Sequence, residues 1–111
     1  MSDTVFAKTP KPPYCAVIFA SKRNGRGEAD YNAAGERMFA LVQQQPGFLG
    51  VDSTRDENGF GITIAYFDRE ENIRLWRNHA EHAATRERGK REWYEHFEVR
   101  VAKVERAYAG P

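Results

Sequence analysis

The chain has 111 residues, of which 41% are hydrophobic and 13% aromatic, the composition of one folded domain with a single core. Its 17 Lys and Arg residues and 16 Asp and Glu residues leave a net charge of +1, so there is no basic excess to neutralise nucleic-acid phosphates. No apolar run approaches the length of a membrane span, and the single cysteine, Cys15, has no partner for an internal disulfide. These features argue against nucleic acid and membranes as partners, and they predict a cytoplasmic protein.

The beginning of the chain predicts an arm, a strand and a helix. Residues 1–12 are polar and end in TPKP, which predicts a flexible N-terminal arm ahead of a single domain at residues 13–109. The domain starts with YCAVIFAS at residues 14–21, an apolar run of strand length that is rich in β-branched and aromatic residues. Apolar residues then recur at helical spacing over about 28–45, until a Pro-Gly pair ends the helix.

The middle of the chain predicts a β-hairpin. Two segments of strand character, residues 48–55 and 60–67, flank the sequence DENG. Asn58 and Gly59 within it are the strongest short-range indication of a hairpin turn, because both residue types tolerate positive φ.

The last third of the chain predicts helical structure followed by one strand. Residues 69–77 and 79–95 have the pattern of one long or two broken helices, and Gly89 is expected to break or kink the second segment. The final strand is predicted over residues 97–108. Its apolar alternation slips in phase after Val101, which predicts a bulge near residues 102 and 103.

The resulting order, β-α-β-β-α-β, predicts a ferredoxin-like α+β sandwich with both helices on one face of the sheet. The first strand is nevertheless apolar on both faces, with one set of side chains at Cys15, Val17 and Phe19 and the other at Ala16, Ile18 and Ala20. Strands that are apolar on both faces are covered on both faces. The chain has enough helix for one side, so we expect a homodimer in which two sheets pack face to face.

Both tryptophans and all three histidines of the chain lie in LWRNHAEH, residues 75–82, and REWYEHF, residues 91–97, together with one tyrosine. Together with the closing VAKVERAY, the chain resembles the antibiotic biosynthesis monooxygenase domain family of the dimeric α+β barrel group, from about residue 14 to 108. The resemblance is carried by the spacing Trp76-x2-His79-x2-His82-x6-Gly89-x3-Trp93-Tyr94.

This resemblance implies a cofactor-independent monooxygenase or related oxidoreductase. Its substrate would be a small aromatic or quinol-like molecule, held in a cavity between sheet and helices. The residues expected to take part are His82, Trp76 and Tyr94 in catalysis, and His79, Trp93, Asn78 and Arg91 in substrate binding.

Haem and metal sites are disfavoured. The haem-degrading branch, as the resemblance implies, has a histidine three helical turns beyond its tryptophan and an asparagine on the first strand, but this chain has Arg86 and YCAVIFAS there. Haem is therefore possible but not expected. His79 and His82 lie one turn apart without a nearby cysteine, which is weak support for zinc, so we expect no metal.

Two functions stay open from sequence alone. The enzyme described above is one, and a non-catalytic dimeric module that binds a small ligand or haem is the other. In the second case Trp76 is a packing residue and His82 a structural one. An ionisable residue with a perturbed pKa inside the cavity would favour the enzyme.

Overall fold

The computed structural model describes residues 6–111 and contains seven elements in the order β-α-β-β-α-α-β. They are β1 (Tyr14–Arg23), α1 (Glu28–Val42), β2 (Phe48–Arg55), β3 (Phe60–Phe67), α2 (Glu70–Arg77), α3 (Ala80–Glu92) and β4 (Tyr94–Val104). The predicted order is confirmed. The helical stretch between the third and fourth strands consists of two helices, which are separated at residues 78–79.

The four strands form one antiparallel sheet in the order β2-β3-β1-β4. On one face Cys15 lies opposite Phe67 and Val17 opposite Ala65, which is the alternation that the sequence predicts. The fold is the expected ferredoxin-like α+β sandwich.

The core lies between this face of the sheet and the helices. Phe67 is fully buried and is surrounded by Leu41 and Val42 of α1 and by Ile73 and Trp76 of α2. Burying side chains of this size stabilises the fold by about 1.5–3 kcal/mol each. The same cluster fixes α1 and α2 on one side of the sheet, and α3 lies on that side too, so within residues 6–111 the opposite, outer face carries no helix.

The hairpin between β2 and β3 is confirmed, although one glycine alone supplies the positive φ. Gly59 has a φ of 90°, whereas no non-glycine residue among the described residues has a positive φ. Asp56 stabilises the turn, because its Oδ1 accepts hydrogen bonds from the backbone N–H groups of Asn58 at 2.9 Å and Phe60 at 3.0 Å.

Two sequence expectations about the last third of the chain are wrong. No bulge occurs near residues 102 and 103, since β4 pairs with β1 without interruption there, and the irregularity lies between Lys22 and Arg23 instead. The phase of the apolar residues slips because Val101 lines the helix side of the sheet, while Val104 pairs with Tyr14 on the outer face.

Gly89 does not end α3, which continues through it to Glu92. The glycine is needed for close packing, because a Cβ at this position would lie 2.9 Å from Cε2 of Tyr94.

The outer face of the sheet is apolar at its centre and is partly covered by the start of the chain. Ile18 and Ile64 pair there and are half-buried. The backbone N–H of Ala7 donates to Oδ1 of Asp52 at 2.6 Å, and the Thr9 and Tyr14 hydroxyls are 3.0 Å apart. Part of the expected flexible arm therefore contacts the sheet; residues 1–5 lie outside the described residues.

Within residues 6–111, none of the helices has both the length and the apolar character needed to cross a membrane.

Candidate functional site

A cavity of about 580 Å³ lies between the helix side of the sheet and helices α1 to α3. Its walls are mostly apolar, and each layer contributes to them. Representative lining residues are Val17 and Phe19 of β1, Met38 and Phe39 of α1, Ile73 of α2 and Val99 of β4.

Beside the cavity, two exposed ion pairs join α1 to α3. Arg37 makes two bonds to Glu81, of 2.5 and 2.8 Å, and Arg88 approaches Asp30 at 3.1 Å.

The helix end of the cavity contains Trp76 and His82, two of the three residues expected to be catalytic. Their rings stack with centroids 4.0 Å apart and planes 9° apart. Nδ1 of His82 lies 2.9 Å from the backbone oxygen of Trp76. A carbonyl oxygen only accepts hydrogen bonds, so Nδ1 carries the proton and Nε2 keeps a free lone pair.

Burial lowers the pKa of His82 from 6.5 to about 4, because the charged imidazolium loses hydration there. The hydrogen bond to the Trp76 carbonyl opposes this shift, while electrostatic interaction with the neighbouring Arg86, His79 and Arg77 adds to it. His82 is therefore neutral at neutral pH and offers a hydrogen-bond acceptor.

The sheet end of the cavity contains Tyr94 and Trp93. The Tyr94 hydroxyl donates a hydrogen bond to the Tyr31 hydroxyl over 3.3 Å. Burial first, and this hydrogen bond second, raise the pKa of Tyr94, so the phenol stays protonated and is a donor at neutral pH. Trp93 is 3% exposed and meets the Tyr31 ring edge to face at 5.6 Å.

Arg55 and Tyr31 complete this polar end, and neither was expected from sequence to be a site residue. Nη2 of Arg55 donates to the Tyr31 hydroxyl at 3.1 Å and to Oγ of Ser21 at 2.8 Å. Strand alternation could have located Arg55, since it shares the helix-facing side of β2 with Val51. Arg55 also lies opposite Gly61 in the sheet. A side chain at position 61 would collide with the guanidinium group, because an added Cβ would lie 2.7 Å from its central carbon.

The other three expected substrate-binding residues lie outside the cavity lining. His79 caps α3, accepting a hydrogen bond from the Glu81 N–H at 3.3 Å, and its ring contacts Trp76. Asn78 is an exposed residue at the end of α2. Arg91 is exposed on α3, with 66% of its side chain accessible.

Within the described range, no three His, Cys, Asp or Glu side chains are grouped as a metal site would require. His96 is on β4, where its Nε2 lies 3.2 Å from Glu98. Arg86, at the position of the histidine in the haem pattern, lines the cavity and donates to the Arg77 carbonyl at 2.6 Å.

The chain is 50% identical over 100 residues to the uncharacterized protein YqjZ of Bacillus subtilis, and the match covers 90% of this chain and 87% of YqjZ. No sequence-family profile matches it.

Solved structures with the same fold share little sequence with this chain. A mutant of SnoaB, a cofactor-independent oxygenase from Streptomyces nogalater, superposes with a TM-score of 0.73 at 14% identity, over 85% of this chain and 95% of SnoaB. Protein SO0527 of Shewanella oneidensis gives 0.74 at 10% identity, over 92% and 100%. A proposed antibiotic biosynthesis monooxygenase of Nitrosomonas europaea gives 0.69 at 12% identity, over 87% and 94%. Such low identities show the fold alone, and the fold is the one that the sequence resemblance implies.

Proposed function

We propose that this chain, which belongs to the same family as YqjZ of Bacillus subtilis and has the fold of the antibiotic biosynthesis monooxygenase-type proteins, is an oxidoreductase for small aromatic molecules. Its substrate is a phenol or quinol that binds in the cavity and reacts with dioxygen without a cofactor. The observation that carries this proposal is the stacked Trp76–His82 pair on the wall of a large apolar cavity. SnoaB, of the same fold, is a cofactor-independent oxygenase.

The cavity suits such a ligand in size and in chemistry. Small-molecule sites in proteins typically measure about 300–1,000 Å³ and combine apolar walls with a few polar groups. The cavity of about 580 Å³ has that character, with polar groups from His82 at one end and from Tyr94, Tyr31 and Arg55 at the other. A flat aromatic ring would pack against Phe19 and Trp76, and its oxygen atoms would meet the polar ends.

The proposed reaction needs no external electron donor. One oxygen atom of dioxygen enters the substrate and the other leaves as water, so the substrate supplies all the electrons that reduce dioxygen. The protein's task is to exclude water, orient the ring and stabilise negative charge on the substrate oxygen as its proton leaves. That proton ends in the water molecule formed from the second oxygen atom of dioxygen. With its pKa lowered to about 4, His82 is a weak base, so we assign to Nε2 the acceptance of a hydrogen bond from the substrate hydroxyl.

Dioxygen uptake with a panel of hydroquinones and naphthols tests this function. We expect His82→Gln to lower kcat/KM by at least about tenfold, the effect of losing one hydrogen bond to a reacting group. We expect Trp76→Phe to lower kcat/KM as well, because the smaller ring packs less closely against His82 and the substrate. Lys90→Ala is the matched control, because Lys90 is exposed on α3 and pairs with Glu87. Normal turnover in both cavity variants would contradict the assignment.

The alternative is a module that binds an aromatic ligand without transforming it. A perturbed pKa inside a cavity favours an enzyme in general, but the direction of this shift favours the alternative, because a base with a pKa of about 4 provides little driving force for proton transfer. Titration of the same compounds by tryptophan fluorescence separates the two functions. Binding without dioxygen uptake for every compound would identify the binding module.

We also propose a cytoplasmic homodimer, which supplies the cover that the outer face of the sheet lacks. Ile18 and Ile64 form the apolar centre of that face. The cytoplasmic location rests on the single cysteine, Cys15, which is a free thiol.

A further inference from the structure

We infer that Tyr31, Arg55 and Tyr94 form a subsite, here called the tyrosine–arginine subsite, that binds a negatively charged oxygen of the ligand. In a quinol this is the oxygen that does not donate to His82, and in a phenolate with a single oxygen it is that oxygen. The inference deepens the proposed function and rests on it, because it takes the cavity to be the place where an aromatic ligand binds. All three residues line the cavity.

The hydrogen bonds of the subsite leave one phenolic proton for a ligand. The Tyr31 oxygen receives a hydrogen bond from Nη2 of Arg55 at 3.1 Å and another from the Tyr94 hydroxyl at 3.3 Å. A hydroxyl oxygen has two lone pairs and one proton, so both lone pairs of Tyr31 are occupied. The Tyr31 O–H is therefore a donor for which the side chains of residues 6–111 provide no acceptor.

The charge at the subsite favours an anion over a neutral acceptor. Arg55 donates to the Gly59 carbonyl at 2.6 Å, to Ser21 and to Tyr31, all of which are neutral groups. Among residues 6–111, no carboxylate lies within ion-pair distance of Arg55. An uncompensated guanidinium in a half-buried position lowers the free energy of an anion placed beside it.

The subsite is held rigidly, which suits recognition of one atom. The guanidinium of Arg23 lies 3.7 Å from the centroid of the Tyr31 ring, and Trp93 and Tyr94 meet the same ring edge to face at 5.6 and 5.8 Å. Arg23 is itself fixed by hydrogen bonds to the Trp93 carbonyl and to Glu28. A donor fixed in this way loses little conformational entropy when the ligand binds.

Two probes of similar shape separate charge recognition from aromatic binding. Affinities for 4-nitrophenolate and nitrobenzene are measured by calorimetry, with wild-type protein and Tyr31→Phe, at a pH where free 4-nitrophenol is ionised. Tyr31→Phe keeps the ring and its packing and removes only the hydroxyl. We expect it to weaken binding of 4-nitrophenolate by about tenfold, the loss of one hydrogen bond to a charged group, and to leave nitrobenzene binding unchanged.

Tyr66→Phe is the matched control, because it removes a hydroxyl that donates to Asp52 on the opposite face of the sheet. Arg55→Met should also weaken 4-nitrophenolate selectively; if that variant does not fold, Tyr31→Phe decides alone.

The possible outcomes distinguish this inference from the proposed function. If nitrobenzene binds and Tyr31→Phe leaves the affinity for 4-nitrophenolate unchanged, the subsite is refuted while the aromatic cavity stands. If Tyr31→Phe weakens both probes equally, the hydroxyl has a packing role and the subsite is likewise refuted. If neither probe binds the wild-type protein, the cavity does not accept aromatic molecules and both proposals fail.

Discussion

At the scale of single residues, His82 shows how burial decides which chemistry a side chain can perform. The family resemblance implies a catalytic role for it, and the ordinary pKa of histidine, near neutrality, suits proton transfer; a structural role is the alternative. In the structure the imidazole is stacked on Trp76, with its Nδ1 proton directed to a carbonyl. The loss of hydration outweighs that hydrogen bond, so the pKa falls to about 4.

The shifted pKa predicts a pH dependence of stability. Because the folded pKa of about 4 lies below the ordinary 6.5, the unfolded chain binds a proton between these values that the folded chain does not. The free energy of unfolding should therefore fall as the pH is lowered through this window, by at most about 1.4 kcal/mol per pH unit from this group. Urea denaturation of wild-type protein and His82→Gln at several pH values measures it. Identical slopes for the two proteins would show that His82 is not responsible.

At the scale of elements, two glycines within helices have opposite roles. A Cβ on Gly89 of α3 would lie 2.9 Å from the Tyr94 ring, whereas a Cβ on Gly35 of α1 would meet nothing within 4 Å. Replacing glycine by alanine raises helix propensity equally at both sites. The difference in stability between the two variants therefore measures the effect of packing.

We expect Gly35→Ala to stabilise the protein by about 0.5–1 kcal/mol, since alanine is the better helix former. We expect Gly89→Ala to destabilise it, because overpacking typically costs about 1–3 kcal/mol and exceeds that gain. Thermal unfolding of both variants tests the pair. Stabilisation by Gly89→Ala would show that the Tyr94 ring moves aside freely.

The sequence predicts the elements well because periodicity and turn chemistry are local properties. The two strands of the β-hairpin have their expected bounds, and Leu41, one of the apolar residues at helical spacing in the predicted first helix, lies in the core. What local pattern could not supply is the contact between distant segments. Arg55 donates a hydrogen bond to Tyr31, 24 residues away in the sequence, and Gly89 of α3 packs against the Tyr94 ring at the start of β4. The polar end of the cavity therefore could not be predicted from local sequence pattern.

At the scale of the whole molecule, the outer face of the sheet gives the proposed homodimer its test. Ile64 lies on β3 opposite Ile18, at the centre of that face. Ile64→Glu should convert the dimer to a folded monomer, because an unpaired carboxylate buried in an apolar interface is strongly unfavourable. Light scattering after size exclusion and circular dichroism measure the two properties.

Leu75→Glu is the control for this substitution. Leu75 is 53% exposed on α2, so the same new charge is placed on a solvent-facing helix and should leave the dimer intact. A wild-type protein that is monomeric at micromolar concentration would contradict the dimer itself.

The two ion pairs between α1 and α3 have a consequence for the speed of ligand exchange. Both helices line the cavity, so moving them apart widens it. The ion pairs Arg37–Glu81 and Arg88–Asp30 oppose that movement, and both pairs are exposed to solvent. Dissolved salt screens such pairs. In stopped-flow fluorescence, the association and dissociation rates of a neutral aromatic ligand should therefore both rise with ionic strength, roughly two- to fivefold. Glu81→Gln, which removes one ion pair, should reproduce part of this increase at low salt. Because both rates change together, the residence time of the ligand would depend on salt while its affinity would not.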